Sequence, residues 1–558
     1  MKKLLLLSAS SLALLTAVPA VAQNNTSTVT QTGTDGDAIV GQSGSNGQST
    51  VTQGGDNNSA TLSQGGDFNV SEIVQDNGTG SSDDNNTANV TQVGSANFSR
   101  VVQTNDFSTA TVAQSAAGNE SLVTQSGDLD NADVEQSGND NESTVTQSGN
   151  LNAAAVLQSG ARNESILTQS SGLNQAIVTQ PGEDNTSTLI QTGVGANVAN
   201  VLQNGDRNTS DIIQGGAGNG AGTTAAAGVI QDSDVNRATI RQAGGLHDAF
   251  IEQRIGNDNI ASIDQGANAS SDHTADIRQA GFENNADIVQ RGFNENADVL
   301  QTGDENTATV DQGGGVGRNH NAFVNQDGNE NLADIAQRGE NQTASITQPG
   351  DGNEAEVDQG RDRTGFLGGA FDTGFGEDQV ASITQGGNDN TAKTEQRGES
   401  QSATIEQVGS GNIGDGGVFT FGAEIVQGGD FGSDNSATIM QISDGNRALT
   451  NQQGTSLAAN VSQGGSGDNE SLIMQTGNGG AVLLNANVIQ NGAGNVSSIE
   501  QGDTGHTANV TQLGNDNLSE IAQTGTGHVA NVTQNSSLND SFINQAGTGH
   551  TANVTQGL

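Results

Sequence analysis

Cysteine, tryptophan and tyrosine are absent from this chain of 558 residues, and proline occurs only three times. Without Cys there is no disulfide framework, no thiolate metal site and no cysteine nucleophile. Basic residues are scarce. With Lys2 and Lys3 set aside, 15 basic residues face 64 acidic ones, a net charge near −49. Such a polyanion has no basic surface with which to neutralise phosphates, which argues against nucleic acid and anionic membranes as partners. Large apolar side chains are few and Gly numbers 79. Composition alone therefore points to disorder. The periodicity of the chain overturns that reading.

Residues 1–22 have the form of a signal peptide. Lys2 and Lys3 make a basic start, Leu4 to Leu15 an apolar stretch, and Ala20-Val21-Ala22 a small-residue cleavage pattern. The apolar run is short for a retained membrane anchor and no second one follows, so no membrane insertion is expected. The mature chain, residues 23–558, is expected to begin at Gln23 outside the cytoplasm.

From Gln31 to Gln556 a glutamine recurs with a basic step of eleven, giving 44 units. In each unit the residue four before the Gln is Ala or Ser. The residue two before it is Val, Ile or Leu in 42 units, Thr394 and Thr450 being the exceptions, and the residue six before it is Asn in 26. Side chains two apart share one face of a strand. Asn141, Ser143, Val145 and Gln147 therefore point one way, with Glu142, Thr144 and Thr146 opposite. The same ladder continues through Asn152, Ala154 and Gln158, then Asn163, Ser165 and Gln169. Connectors such as Ser148-Gly149-Asn150-Leu151 carry Gly, Asn and Asp, which suit tight turns with positive φ. A helix fits poorly, because the apolar period is two and Thr, Val, Gly and Asn dominate.

Near both ends Ser and Ala alternate at the small position, as in Ser143, Ala154, Ser165, Ala176, Ser187. Ser occurs only in odd-numbered units, so the structural repeat is 22 residues, two strands per coil. The fold class expected is all-β: a β-solenoid of about 22 coils with two facing parallel sheets, on the order of 100 Å long. Amide ladders along the axis explain how so little apolar surface can suffice. Loop insertions fall near 76–85, 215–224, 360–378, 408–420 and 476–483. Most follow odd-numbered units, on one edge, where tolerated loop growth is the simpler reading and a decorated binding edge the other.

The pattern Gln-x-Gly-x-x-Asn-x-Ala-x-x-x-Gln stands as Gln53-Gly-Gly55-Asp-Asn-Asn58-Ser-Ala60-Thr-Leu-Ser-Gln64, and again from Gln147 to Gln158 and from Gln301 to Gln312. It resembles the curlin repeat of the curli amyloid subunits. The resemblance implies a secreted fibre subunit of biofilm matrix on the surface of a Gram-negative bacterium. Its implied partners are copies of itself, head to tail, with a fibre nucleator and an outer-membrane export pore. Curli major subunits are shorter, use Tyr and carry a non-repetitive segment after the leader, whereas here the pattern starts at Asn25 and Ser27.

The repeat reaches almost to both ends, leaving no room for the polar caps that keep solenoids monomeric. That favours growth by stacking. Acidic residues such as Glu142, Asp211, Asp276, Asp287 and Asp298 oppose it by repulsion across rungs, acting as gatekeepers or simply as solubilising charge. The alternative function is a monomeric surface rod, an adhesin or an ice- or carbohydrate-binding module.

All six histidines, His247, His273, His320, His506, His528 and His550, occupy the Asn slot of Ala-type units. His506, His528 and His550 are one coil apart, so their rings are expected to stack roughly 5 Å apart. Such a ladder is a candidate for Zn or Cu or for joint protonation below about pH 6, against the plainer reading that His replaces Asn as a polar strand-start residue. No carboxylate or thiolate completes a coordination set in the sequence nearby, and no cofactor is expected. The step of eleven does not match the nine-residue calcium roll. Asn-x-Ser/Thr triplets arise from the repeat itself. Thr-x-Thr arrays are broken by Asp, Glu and Leu in neighbouring units. No Ser/His/Asp constellation recurs, so no catalytic residue is nominated and the chain is not expected to be an enzyme.

Overall fold

The computed structural model describes residues 24–76, 84–193, 196–216, 220–221, 228–266, 272–313, 317–360, 376–414, 420–428, 433–477 and 483–557. The leader lies outside these residues, as do the central parts of all five long insertions. The described residues contain β-strands and turns and no helix. They group into two compact units, one running up to Ile213 and the other from Gln214 onward. Each is a β-solenoid in which successive strands alternate between two facing parallel sheets, about 22 coils in all.

In the first unit the strands Glu120–Gln125, Glu142–Gln147 and Glu164–Gln169 lie side by side in one sheet. Asn131–Gln136, Ala153–Gln158 and Gln175–Gln180 do so in the other. Like residues meet across coils: Val145 pairs with Val123 and Leu167, and Gln147 with Gln125 and Gln169. The second unit repeats this arrangement, as where Thr307–Gln312 pairs with Asn285–Gln290 and Leu332–Gln337.

The side-chain period of two decides what is inside. In Glu142–Gln147 burial alternates strictly, with Ser143, Val145 and Gln147 inaccessible. Most strands thus bury one aliphatic side chain, worth about 1.5–3 kcal/mol, beside an Ala or Ser and a Gln. So thin a core depends on its polar members being paired.

Turn residues take positive φ as the sequence suggests, glycines such as Gly118 (φ 72°) among them, but Gly149 has a different role. The left-handed seat, just before the Asn slot, holds Asp140 (φ 56°), Leu151 (φ 63°), Arg162 (φ 57°) and Leu173 (φ 67°). Gly149, two residues earlier than Leu151, is not in that region. A Cβ on it would lie 2.3 Å from the backbone of Ser171 in the next coil. Close stacking of turn on turn, rather than positive φ, requires glycine there.

A regular turn opens the segment where an insertion is expected near 408–420. Val408 to Asn412 form a regular turn: the Asn412 N–H donates to Asn390 Oδ1 (3.0 Å), and Asn446 N–H donates to Asn412 Oδ1 (2.7 Å). The extra residues enter between that turn and the strand Ala423–Gln427. The Asn contact closes the turn, and the chain beyond Asn412 can lengthen without breaking it.

Thr394 and Thr450 sit at aliphatic core positions with their Oγ1 atoms buried and unpaired. An unsatisfied buried hydroxyl costs about 1–3 kcal/mol, and valine has the same shape without it. Thr394→Val is therefore expected to stabilise the second unit by about 1–2 kcal/mol, seen as slower amide exchange in Thr391–Gln396. Unchanged or faster exchange would contradict this.

Candidate functional site: the buried amide and imidazole ladders

The repeated inward side chains form columns along each unit. Gln147 donates from Nε2 to Gln169 Oε1 (2.9 Å) and accepts at Oε1 from Gln125 Nε2 (2.9 Å). Its Nε2 also donates to the Asn131 carbonyl (2.9 Å), in a strand of the opposite sheet. Gln158 does the same, donating to Gln180 Oε1 (2.9 Å) and to the carbonyls of Glu142 (3.0 Å) and Asn163 (3.1 Å). Each glutamine thus extends a ladder and ties one sheet to the other. The first bond follows from the eleven-residue step. The second was missed, since nothing in the sequence shows which carbonyl faces the amide.

The asparagine column closes the turns. The Asn163 N–H donates to Asn141 Oδ1 (2.9 Å), and Asn141 Nδ2 donates to the Gly160 carbonyl (2.8 Å). Asn152 donates its own N–H to Oδ1 of Asp130 (2.9 Å), which occupies the same slot one coil earlier. Burial pushes the Asp130 carboxyl up to about 6, against the pull of the Asn152 donors. The small positions are inert fillers: Ala154 packs without polar contact, Ser143 Oγ lies 3.4 Å from Ser121 Oγ, and Ser165 Oγ is buried without a partner.

Histidine enters this column as a replacement for asparagine. The rings of His506, His528 and His550 stack with centroids 5.0 Å apart. His528 N–H donates to His506 Nδ1 (3.1 Å) and His550 N–H to His528 Nδ1 (3.1 Å). The Nε2 atoms of His506 and His528 donate to the carbonyls of Gly502 (2.6 Å) and Thr524 (3.0 Å). Nδ1 stands for the Asn Oδ1 and Nε2–H for the Asn Nδ2. This requires the neutral imidazole and occupies the Nδ1 lone pair of both His506 and His528, leaving neither ring a free donor atom for a metal. Among the described residues no group of three His, Cys, Asp or Glu is placed to hold an ion. Burial also lowers the His506 pKa.

The other three histidines form a deeper cluster. His247 and His273 stack at 4.7 Å, Glu295 takes the next Asn slot and His320 the one after. Glu295 is buried and neither carboxyl oxygen is well aligned with a donor, the Arg291 backbone N–H and the more distant Arg291 and Arg338 guanidiniums only partly offsetting that burial. Its Oε2 lies 3.7 Å from His273 Nδ1, but that nitrogen already accepts the Glu295 N–H (3.3 Å), so His273 is the neutral tautomer and offers no countercharge. Burial drives the Glu295 carboxyl up to about 9 and holds His273 and His320 down at about 4. The sequence placed the histidines correctly but passed over Glu295.

Outside, some of the carboxylates expected to repel one another do so while also partly desolvated, Asp298 raising Asp276, and Asp264 and Asp311 raising Asp287. Burial raises Asp276 to about 6, and raises Asp287 and Asp298 above their ordinary value. Asp334 and Glu424 are raised in the same way, and Lys393 ties to Glu356 (2.7 Å) among them.

A solenoid whose recurring inward side chains bind one another, coil to coil, defines a structural repeat protein. The family model of the curlin associated repeat matches the chain at six places, residues 138–170, 234–266, 281–314, 294–328, 328–360 and 387–413. The chain thus carries curlin associated repeats in both units. No curated protein matches it.

Proposed function

We propose that this chain is a secreted structural protein that assembles into curli-like, amyloid-like fibres outside the cell, in the matrix that attaches bacteria to surfaces and to each other. The observation that supports this best is the sameness of the rungs. Gln147, Gln158 and Gln169 each present the same amide, strand edge and register to the coil above as to the coil below. Any outermost coil of such a stack offers unpaired N–H and C=O groups and an unfinished amide ladder, to which an equivalent coil of another copy fits as the next rung. The repeats matched by the curlin model and the form of residues 1–22 agree with export and self-assembly. A nucleator and an outer-membrane pore are the further partners this reading calls for.

The test is fibre growth by the purified mature chain, Gln23 to Leu558, followed by thioflavin fluorescence, electron microscopy and fibre diffraction. Concentration-dependent fibres with a reflection near ~4.8 Å, shortened in lag by preformed fragments, are expected. A β-rich monomer that never seeds would overturn the proposal.

A further inference from the structure

The two outer faces of the second unit carry different chemistry. One sheet contains ten consecutive strands from Asn321–Gln326 to Thr551–Gln556, with Glu406 the one charged residue among them. The interleaved strands of the opposite sheet, from Leu332–Gln337 to Asp540–Thr548, carry ten acidic residues and two basic ones, Lys393 and Arg447. In a chain of net charge −47, one wall is almost neutral while the wall behind it is strongly acidic.

The neutral wall is ordered. Its central outward column runs in register, Thr438 beside Asn460 and Asn460 beside Asn487. From Asn460 the column is a second, external amide ladder: Asn460 to Asn487 (2.9 Å), Asn487 to Asn509 (2.8 Å), Asn509 to Asn531 (2.8 Å) and Asn531 to Asn553 (2.7 Å). Side chains held to one another lose little further freedom when a partner covers them, which lowers the entropic cost of docking. Apolar groups are interspersed, with Phe323 and Ile489 substantially exposed.

We infer that this face is where two copies of the chain pair laterally, neutral wall to neutral wall. Electrostatics selects the occupant. Acidic walls brought together would set carboxylates against carboxylates, whereas this wall lets two copies of a polyanion approach with their charge turned outward. The size is sufficient. Ten strands about 4.8 Å apart and six residues long cover roughly 900 Å², against about 800 Å² per partner in a typical stable interface. This association is sideways, distinct from coil-on-coil growth, and does not need fibres in order to form.

Because the natural chain has no cysteine, single introduced thiols report contact cleanly. The mature chain with Asn460→Cys, at the middle of the neutral wall, is expected to form a disulfide-linked dimer under mild oxidation at least tenfold faster than Leu449→Cys on the acidic wall. Sedimentation of the natural chain should show a concentration-dependent dimer that Thr438→Glu with Asn460→Glu weakens at least tenfold, with the circular dichroism unchanged. Equal cross-linking from both walls, or a natural chain that sediments as a monomer throughout, would overturn the inference. Fibres that elongate without wall-specific cross-linking would remove the lateral pair and leave the proposed function standing. Wall-specific pairing in a chain that never elongates would do the reverse.

Discussion

Replacing Gln147 by leucine is expected to destabilise the first unit by about 4 kcal/mol, although leucine is apolar and of similar size. The change takes a hydrogen bond from three partners at once. Gln125 Nε2 loses one of its two acceptors, keeping the Thr109 carbonyl (2.9 Å), Gln169 Oε1 loses its donor, and the Asn131 carbonyl loses the bond that joins it to the opposite sheet. Each buried polar group left unpaired costs about 1–3 kcal/mol, and a leucine restores none of them. The effect should be local, as faster amide exchange in Glu142–Gln147 and its two neighbours in the sheet, with a lower urea midpoint. Thr144→Ala, on the outward side of the same strand, should change stability by less than about 0.5 kcal/mol. If Gln147→Leu proved as mild as Thr144→Ala, the amide ladder would not be what holds the coils together.

The reverse sign is expected at Glu295. Its folded carboxyl is neutral until about pH 9, whereas an unfolded one ionises near 4.5. Between those values the unfolded state is favoured, so stability falls as pH rises from about 4.5 and has lost about 3 kcal/mol by pH 7. Glu295→Gln removes this term and should stabilise the second unit by about that amount at pH 7, with the gain disappearing below about pH 4.5. Glutamine already fills the same slot at Gln342, Gln379 and Gln401, so it fits the column. His273 and His320 act on the other side: held at about 4 when folded, they contribute stability above about 6.5 that is lost as pH falls toward 4. Because two histidines outweigh one carboxyl below 6.5, the natural protein should be most stable in these coils near pH 6.5, and the Glu295→Gln protein over a plateau extending through neutrality. Thermal midpoints measured from pH 4 to 9 would show the difference. A variant no more stable at pH 7 than the natural chain would mean that Glu295 is ionised and paired in the folded state.

Much of this architecture is legible in the residues themselves because a strand has a side-chain period of two and the repeat has a fixed step. Val145 and Gln147 had to share a face, and the alternation of Ser143, Ala154 and Ser165 marked two strands per coil. The stacking of His506 on His528 followed from their spacing of one coil. Other features depend on which atoms meet across coils, and there local pattern is silent. Gly149 and Leu151 look like a turn glycine and a stray apolar residue. Only the next coil shows that the glycine makes room for Ser171 while the leucine takes the left-handed seat.

The sequence by itself determined the class of fold, the inward set and the coil length, since these depend on periodicities that no tertiary contact can alter. Tertiary structure alone decided that Gln147 bridges two sheets, that histidine serves as a neutral copy of asparagine, and that burial outweighs the pull of Arg291 and Arg338 on Glu295. The reason is common to all of these: they are set between coils, by packing and by hydrogen bonds between residues 16 to 26 positions apart, distances that a coil brings within a few ångströms.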